Sequence, residues 1–147
     1  MTRGVILTVH IAAGVIGLLV GPFALAQALR ARRPTRLGAT YHAAVLVVCL
    51  TAVGLTLYDW SGLWFFVPIS VASYLFVLWG RRAAASGGDR WYRGVLRGYG
   101  GAWIALWTAV LVVSANEWPV TWLIPTVLGG AVIEWLCVRP RPEWVAA

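Results

Sequence analysis

Two histidines and one glutamate are the side chains that could do chemistry within the apolar stretches of this sequence. Neutral imidazole is the commonest metal ligand in proteins, so His10 and His42 suggest a haem or metal site. Glu134 is an ionisable group inside an apolar stretch, and such groups often handle protons or substrates. Cys49 and Cys137 have no CxxC partner, so the sequence predicts neither a disulfide framework nor a zinc site.

Five apolar stretches have to position these side chains. They cover about residues 5–29, 37–57, 63–79, 98–114 and 120–138. A helix rises about 1.5 Å per residue, so a stretch of about 20 residues crosses a hydrocarbon core of about 30 Å. Because 61% of the residues are hydrophobic and only 12% are charged, there are too few polar residues to cover a soluble domain. The sequence therefore predicts one all-α integral membrane domain over residues 1–147, a five-helix transmembrane bundle.

The arginines predict the orientation of this bundle. All twelve basic residues are arginine, and all except Arg3 follow the first, third or fifth stretch. The two other gaps hold Asp59 and Glu117 as their charged residues. Cytoplasmic loops of membrane proteins carry an excess of Arg and Lys, so the arginine-rich side is predicted to be cytoplasmic. The N-terminus is then outside and the C-terminus inside (N-out/C-in), which requires an odd number of spans and agrees with five.

The depths of the two histidines argue against a shared haem. His10 lies 19 residues before the inner end of the first stretch, a rise of about 28 Å. His42 lies six residues after Arg36, about 9 Å from the same face. Since the heights differ by about 20 Å, one chain cannot place both rings on one iron. A haem held by one histidine, or a site shared between subunits, is the alternative. We expect no cofactor and no metal.

Glu134 has nearby arginines that could neutralise it. It lies five residues before Arg139, which places it one to two turns from the predicted cytoplasmic surface. We favour an ion pair with Arg139 or with an arginine of the inner loops, and the alternative is proton or substrate handling. No stretch carries Asp, Lys or Arg in its middle, whereas a coupled ion transporter needs more ionisable groups than this.

The first stretch carries signals for close helix packing. Gly17 and Gly21 form a GxxxG motif, and Gly14 precedes them by about one turn, so we expect another helix to approach closely here. Pro22 has no backbone N–H and removes one helical hydrogen bond, which predicts a kink. We assign Gly14, Gly17, Gly21 and Pro22 to helix packing.

The loop between the third and fourth stretches is both basic and aromatic. In its sequence DRWYRGVLRGYG, arginines alternate with apolar residues at helix-like spacing. One interpretation is a short amphipathic helix in the inner headgroup layer, and the other is a peptide that only fixes topology. In either case the arginines would meet anionic lipids at the cytoplasmic face. No nucleic-acid-binding motif accompanies the net charge of +7, so we expect no nucleic acid partner.

Four short motifs are spread over nearly the whole chain. They are His10 with Gly14, Gly21 and Pro22; Leu37, Gly38 and Tyr41; GGAWIALWTAVLVVS at 100–114; and WLIPTVLGG at 122–130. Together they resemble a bacterial domain-of-unknown-function family of multi-pass integral-membrane proteins. The resemblance implies a multi-pass protein of the bacterial plasma (inner) membrane, and it implies no established activity.

The sequence contains no nucleophile elbow, phosphate loop, paired carboxylate or metal cluster, so we predict no enzymatic activity and no catalytic residues. The preferred interpretation is a non-enzymatic accessory or structural subunit of a membrane complex. One alternative is a small oligomeric transporter or permeability element, and another is a haem- or quinone-linked redox protein. The expected partners are the lipid bilayer with its anionic lipids, and either further copies of the chain or another membrane protein.

Overall fold

Helices account for the regular structure of the described chain. The computed structural model describes residues 2–88, 90–114 and 119–140, and within these ranges no strand occurs. The prediction of an all-α chain is confirmed for these residues. Glu117, which the orientation argument used, lies outside them.

The helices follow one another through short connections. They are α1 (Arg3–Ala31), α2 (Arg36–Thr56), the short α3 (Trp60–Leu63), α4 (Phe66–Ser86), α5 (Trp91–Val95), α6 (Gly101–Ser114) and α7 (Pro119–Val138). A π-helical turn, Leu96–Gly100, joins α5 to α6 without a break, so that 91–114 form one continuous rod.

Two boundaries differ from the sequence prediction. Helix α4 continues past residue 79 to Ser86, and the next rod begins at Trp91 instead of residue 98. The apolar pattern ends where the arginines begin. The two segments nevertheless stay helical, because small residues allow their backbones to pack closely against each other. A Cβ on Gly94 would lie 2.6 Å from the Cβ of Ala83, which leaves room for no larger side chain there. The predicted basic loop is therefore mostly helix.

The segment that one of the two interpretations placed in the headgroup layer, as a separate amphipathic helix, is part of the bundle. It is helical, but its apolar side chains are buried: Trp91, Tyr92, Val95 and Leu96. Their burial against α4 and α1 removes the exposed apolar face that a helix lying in the headgroup layer needs.

Local signals fix the helix ends. The Thr35 side chain accepts a hydrogen bond from the backbone N–H of Gly38 at 3.1 Å and caps α2. Asp59 caps α3 in the same way, through the N–H of Gly62 at 3.2 Å. Helix α4 ends at Gly87, whose φ of 59° is a left-handed conformation that glycine adopts without strain.

Four helical rods form most of the core, and α7 adds the buried Cys137 to it. Helix α1 packs on α2, α2 on α4, and α4 on the rod 91–114, which returns to contact α1. Helix α7 packs on α6 and on the π-helical turn. Of the described helices, three are long and apolar enough to cross a membrane by length and composition: α1, α2 and the rod Trp91–Ser114. Within α7, Trp122–Val138 is a shorter apolar stretch.

Candidate functional site

The two histidines do not share a site. Nδ1 of His10 lies 2.9 Å from Oγ1 of Thr51 and 3.2 Å from the carbonyl oxygen of Val48, so His10 is level with the C-terminal half of α2. His42 lies nine residues before Thr51 on the same helix, a rise of about 13 Å. The difference in height between the two histidines is smaller than the predicted value of about 20 Å, because the prediction took each height from the nearest arginines. It is still too large for two axial ligands of one iron.

His42 is held at the interface of α2 and α4. Its Nδ1 lies 3.4 Å from Nη1 of Arg81, and its ring centroid lies 5.5 Å from that of Tyr74. A guanidinium can only donate, so Nδ1 accepts and the ring proton lies on Nε2. That Nε2 is buried and has no hydrogen-bond partner among the described residues. No group of three or more His, Cys, Asp or Glu in the described ranges could hold a metal ion.

Glu134 forms an ion pair with an arginine of the predicted inner loop. Nε of Arg97 donates to Oε1 at 2.8 Å, and Nη2 donates to Oε2 at 2.6 Å, which is the bidentate geometry of a guanidinium and a carboxylate. The pair joins α7 to the π-helical turn. Arg139, the other candidate, instead places its guanidinium 3.6 Å from the ring centroid of Trp135. The side chains of Arg97 and Glu134 are 39% and 55% exposed, so the pair lies on the bundle surface.

The residues assigned to helix packing differ in what they contact. A Cβ on Gly17 would lie 3.0 Å from Cδ1 of Leu106, and a Cβ on Gly21 would lie 2.6 Å from Cδ1 of Trp103. Side chains of α6 therefore pack directly against both glycines. Gly14 is different, because a Cβ there would meet nothing within 4 Å. The GxxxG motif therefore serves packing within the chain, and the assignment of Gly14 to close packing is corrected.

Pro22 has a consequence that the sequence did not reveal. A proline has no N–H to donate to the carbonyl four residues earlier, so the carbonyl of Leu18 lacks its helical donor. The indole Nε1 of Trp103 donates to that carbonyl at 3.0 Å. Gly21 provides the space for the indole ring. A proline inside a helix signals that some donor is needed, but the sequence alone does not say which side chain supplies it.

A second polar contact fixes the π-helical turn. The hydroxyl of Tyr41 donates to the carbonyl oxygen of Tyr99 at 3.2 Å, and the two buried rings meet edge to face at 5.6 Å. A Cβ on Gly98 would overlap the backbone N and Cα of Gly80. The run of glycines in GVLRGYGG was the available signal, since such a run permits backbones to touch.

An open cleft of about 840 Å³ lies where α4 and α5 diverge at the predicted cytoplasmic end. Its charged walls come from both helices. The lining residues are Trp79, Arg82, Ala83, Ser86 and Gly88 from the first side, and Arg90, Trp91, Arg93, Gly94 and Arg97 from the second. The sequence identified these arginines as topology signals but not as one surface, because it placed them in a loop.

Together the described residues form a helical bundle with interlocked polar contacts, one surface ion pair beside an arginine-lined cleft, and two separated histidines. Comparisons with protein-family models, with curated proteins and with solved structures find no match to this chain. The family resemblance suggested by the motifs therefore stays a prediction.

Proposed function

We propose that this chain is a five-span protein of the bacterial plasma membrane, N-out and C-in, which acts as a non-enzymatic structural subunit of a membrane complex. The five spans would be α1, α2, α4, the rod 91–114 and α7. Its task would be to hold a fixed arrangement of helices against a membrane-protein partner.

Exposed apolar side chains support the membrane placement. They occur along all the long helices, and Phe23 at 67% and Val113 at 71% are examples from two of them. A soluble chain rarely leaves so much contiguous apolar surface in water, whereas lipid accepts it without cost. Arginines cluster at one end of the helices, as the positive-inside rule requires of the cytoplasmic side.

The observation that carries the structural role is how the interior polar groups are used. The indole of Trp103, the hydroxyl of Tyr41 and the ring of His10 each bond to a neighbouring helix. In the absence of water, such bonds hold helices in one arrangement. Groups used in this way stabilise a scaffold and do not leave a polar path through it.

The same contacts weaken the alternatives. A coupled transporter would place ionisable groups along an interior path, but the Arg97–Glu134 pair lies on the surface and is mutually neutralised. A haem with two histidine ligands would need rings within a few ångströms of one iron, whereas His42 lies about 13 Å along α2 from Thr51, the residue that His10 of α1 contacts.

Co-purification tests the proposal. Tagged chain extracted in a mild detergent should bring down one membrane protein in fixed stoichiometry, measured by quantitative mass spectrometry. A Gly98→Leu variant, which forces α4 away from the π-helical turn, should lose this partner. The matched Gly14→Leu variant, with open space at residue 14, should keep it. Recovery of the wild-type chain alone, or only as copies of itself, would contradict the subunit role.

A further inference from the structure

Arginines from both sides line the cleft between α4 and α5. On the second side, Arg90 immediately before α5, Arg93 within α5 and Arg97 in the π-helical turn all line the cleft. From α4, Arg82 contributes a guanidinium to the opposite wall, which Ser86 one turn further on also lines. Gly94 and Ala83 also line the cleft, and their close approach holds the two sides next to each other.

The charge of this cleft is not balanced by the described residues that line it. All its charged lining groups are arginines. The nearest described carboxylate, Glu134, is bound by Arg97. Asp89 precedes Arg90 in sequence and lies outside the described residues. Like charges within several ångströms repel by about 1 kcal/mol per pair in water and by more near a low-dielectric bundle. Anion binding would relieve that repulsion.

Guanidinium groups favour one class of anion. Their planar N–H donors match the oxygens of a phosphate in bidentate fashion, and arginine is the residue that proteins use most for such recognition. Arg82 and Arg93 line the cleft from opposite walls, whereas the Ser86 hydroxyl already donates to the carbonyl oxygen of Ala83 at 2.9 Å, so the donors that the cleft offers are guanidinium groups. This combination suits a phosphate held between the two helices.

The surroundings indicate that the phosphate belongs to a lipid. Trp79, 46% exposed, lies at the rim of the cleft, and indoles prefer the membrane–water boundary. One turn deeper on the same helix, Leu75 and Phe76 are exposed apolar side chains. An acyl chain could lie on them while its phosphate occupies the cleft. A soluble phosphate would make no use of this apolar surface.

We propose that the cleft lined by Arg82, Ser86, Arg90 and Arg93 is a binding site for the phosphate headgroup of an anionic phospholipid. The proposal rests on the membrane placement proposed above, but not on the subunit role. It goes beyond a general attraction of arginines to the membrane surface, because it assigns one lipid to one pair of helix faces.

Lipid retention by the purified full chain tests the site. Native mass spectrometry from a neutral detergent would count bound phosphatidylglycerol and phosphatidylcholine after equal exposure. We expect one phosphatidylglycerol to be retained by the wild-type chain in preference to phosphatidylcholine. The variant Arg82→Gln/Arg93→Gln should bind it at least about tenfold more weakly, since charged hydrogen bonds from both walls are lost.

The control removes the same charge from the same end of the molecule. Arg33→Gln/Arg36→Gln changes two exposed arginines outside the cleft and should alter binding less than twofold. Equal weakening in both double variants would overturn the site, since the effect would then be general electrostatics. Displacement of the lipid by millimolar glycerol phosphate would overturn the lipid assignment in favour of a soluble anion. Retention does not depend on orientation or on a partner, so failure of the subunit role leaves this result interpretable.

Discussion

The indole nitrogen of Trp103 supplies the donor that Pro22 removes from α1. The indole donates to the Leu18 carbonyl at 3.0 Å within the bundle, where a carbonyl left without a donor would cost free energy. The contact also explains the glycine at residue 21, since a Cβ there would collide with the same ring. One proline, one glycine and one tryptophan on two helices thus form a single unit.

Trp103→Phe should therefore destabilise the chain by about 1–3 kcal/mol, because it leaves the Leu18 carbonyl unpaired while keeping an aromatic ring. Unfolding in mixed SDS and maltoside micelles would measure the change. In a Pro22→Ala background, the new N–H at residue 22 can bond to Leu18. The cost of Trp103→Phe should then fall by about half or more, as coupled sites do in a double-mutant cycle. Equal costs in both backgrounds would contradict the coupling.

At the residue scale, the sequence shows which groups require a hydrogen-bond or ion-pair partner but not which residues supply it. Pro22 predicts an unpaired carbonyl, and Glu134 within an apolar stretch predicts a neutralising arginine. The donors come from residues about 85 and 37 positions away in sequence, as Trp103 and Arg97 respectively. No local rule selects them, because their approach depends on how the helices are arranged around one another.

Helix α4 and the π-helical turn are in direct backbone contact. Gly80 and Gly98 meet backbone to backbone, and Gly80 also accommodates the ring of Tyr99. Within this π-helical turn, the carbonyl of Tyr99 accepts the hydrogen bond from the Tyr41 hydroxyl. The turn and the glycines therefore depend on each other.

Gly98→Ala should destabilise the bundle by about 2 kcal/mol or more, because its Cβ would strike the rigid backbone of α4 instead of a movable side chain. Gly14→Ala is the matched control. Its Cβ would meet nothing within 4 Å, so we expect no loss and up to about 1 kcal/mol gained from helix propensity. The same micelle unfolding measures both variants. A Gly98→Ala variant as stable as the control would show that the backbones can separate freely.

Most helix positions follow from hydropathy, and the exceptions have one cause. The predicted end of the third stretch at residue 79 and the predicted start of the fourth at residue 98 fall where arginines interrupt the apolar pattern. The helices continue because Gly94 and Gly98 fit against Gly80 and Ala83, a contact between distant segments. Hydropathy identifies the segments that are apolar enough for the hydrocarbon core. It does not detect the polar parts of a helix that extend beyond that core. The arginine-lined cleft was missed for this reason.

At the scale of the whole molecule, the charge asymmetry is organised by two antiparallel helices. The extension of α4 to Ser86 and the start of α5 at Trp91 carry the arginines beyond the apolar parts of both helices. The positive end is thus a built surface with a cleft, instead of a flexible loop. The orientation that we propose rests on the arginines alone, and it places the short turn around Ser61 on the opposite side, outside the cell.

Cysteine labelling can test this orientation in intact cells. The native cysteines give little background, since Cys49 and Cys137 are only 8% and 3% exposed. A cysteine at Ser86, an exposed residue near the cleft, should react with a membrane-impermeant maleimide only after the cells are opened. A cysteine at Ser61, also exposed, should react in intact cells.

The two labels are informative only as a pair. Reaction of Ser86→Cys in intact cells together with protection of Ser61→Cys would invert the molecule. The cleft would then face away from the cytoplasm, although its lipid retention in detergent would be unchanged. Reaction of both in intact cells would mean that α4 does not cross the membrane, because it alone, with the short α3 before it, separates the two sites. Helix α4 is the span that most needs this test, because it carries Arg81 and Arg82 and is not among the helices whose length and composition suit a membrane span. We expect α4 to cross nonetheless, since its apolar part, about residues 66–80, is extended by arginines that reach the headgroups.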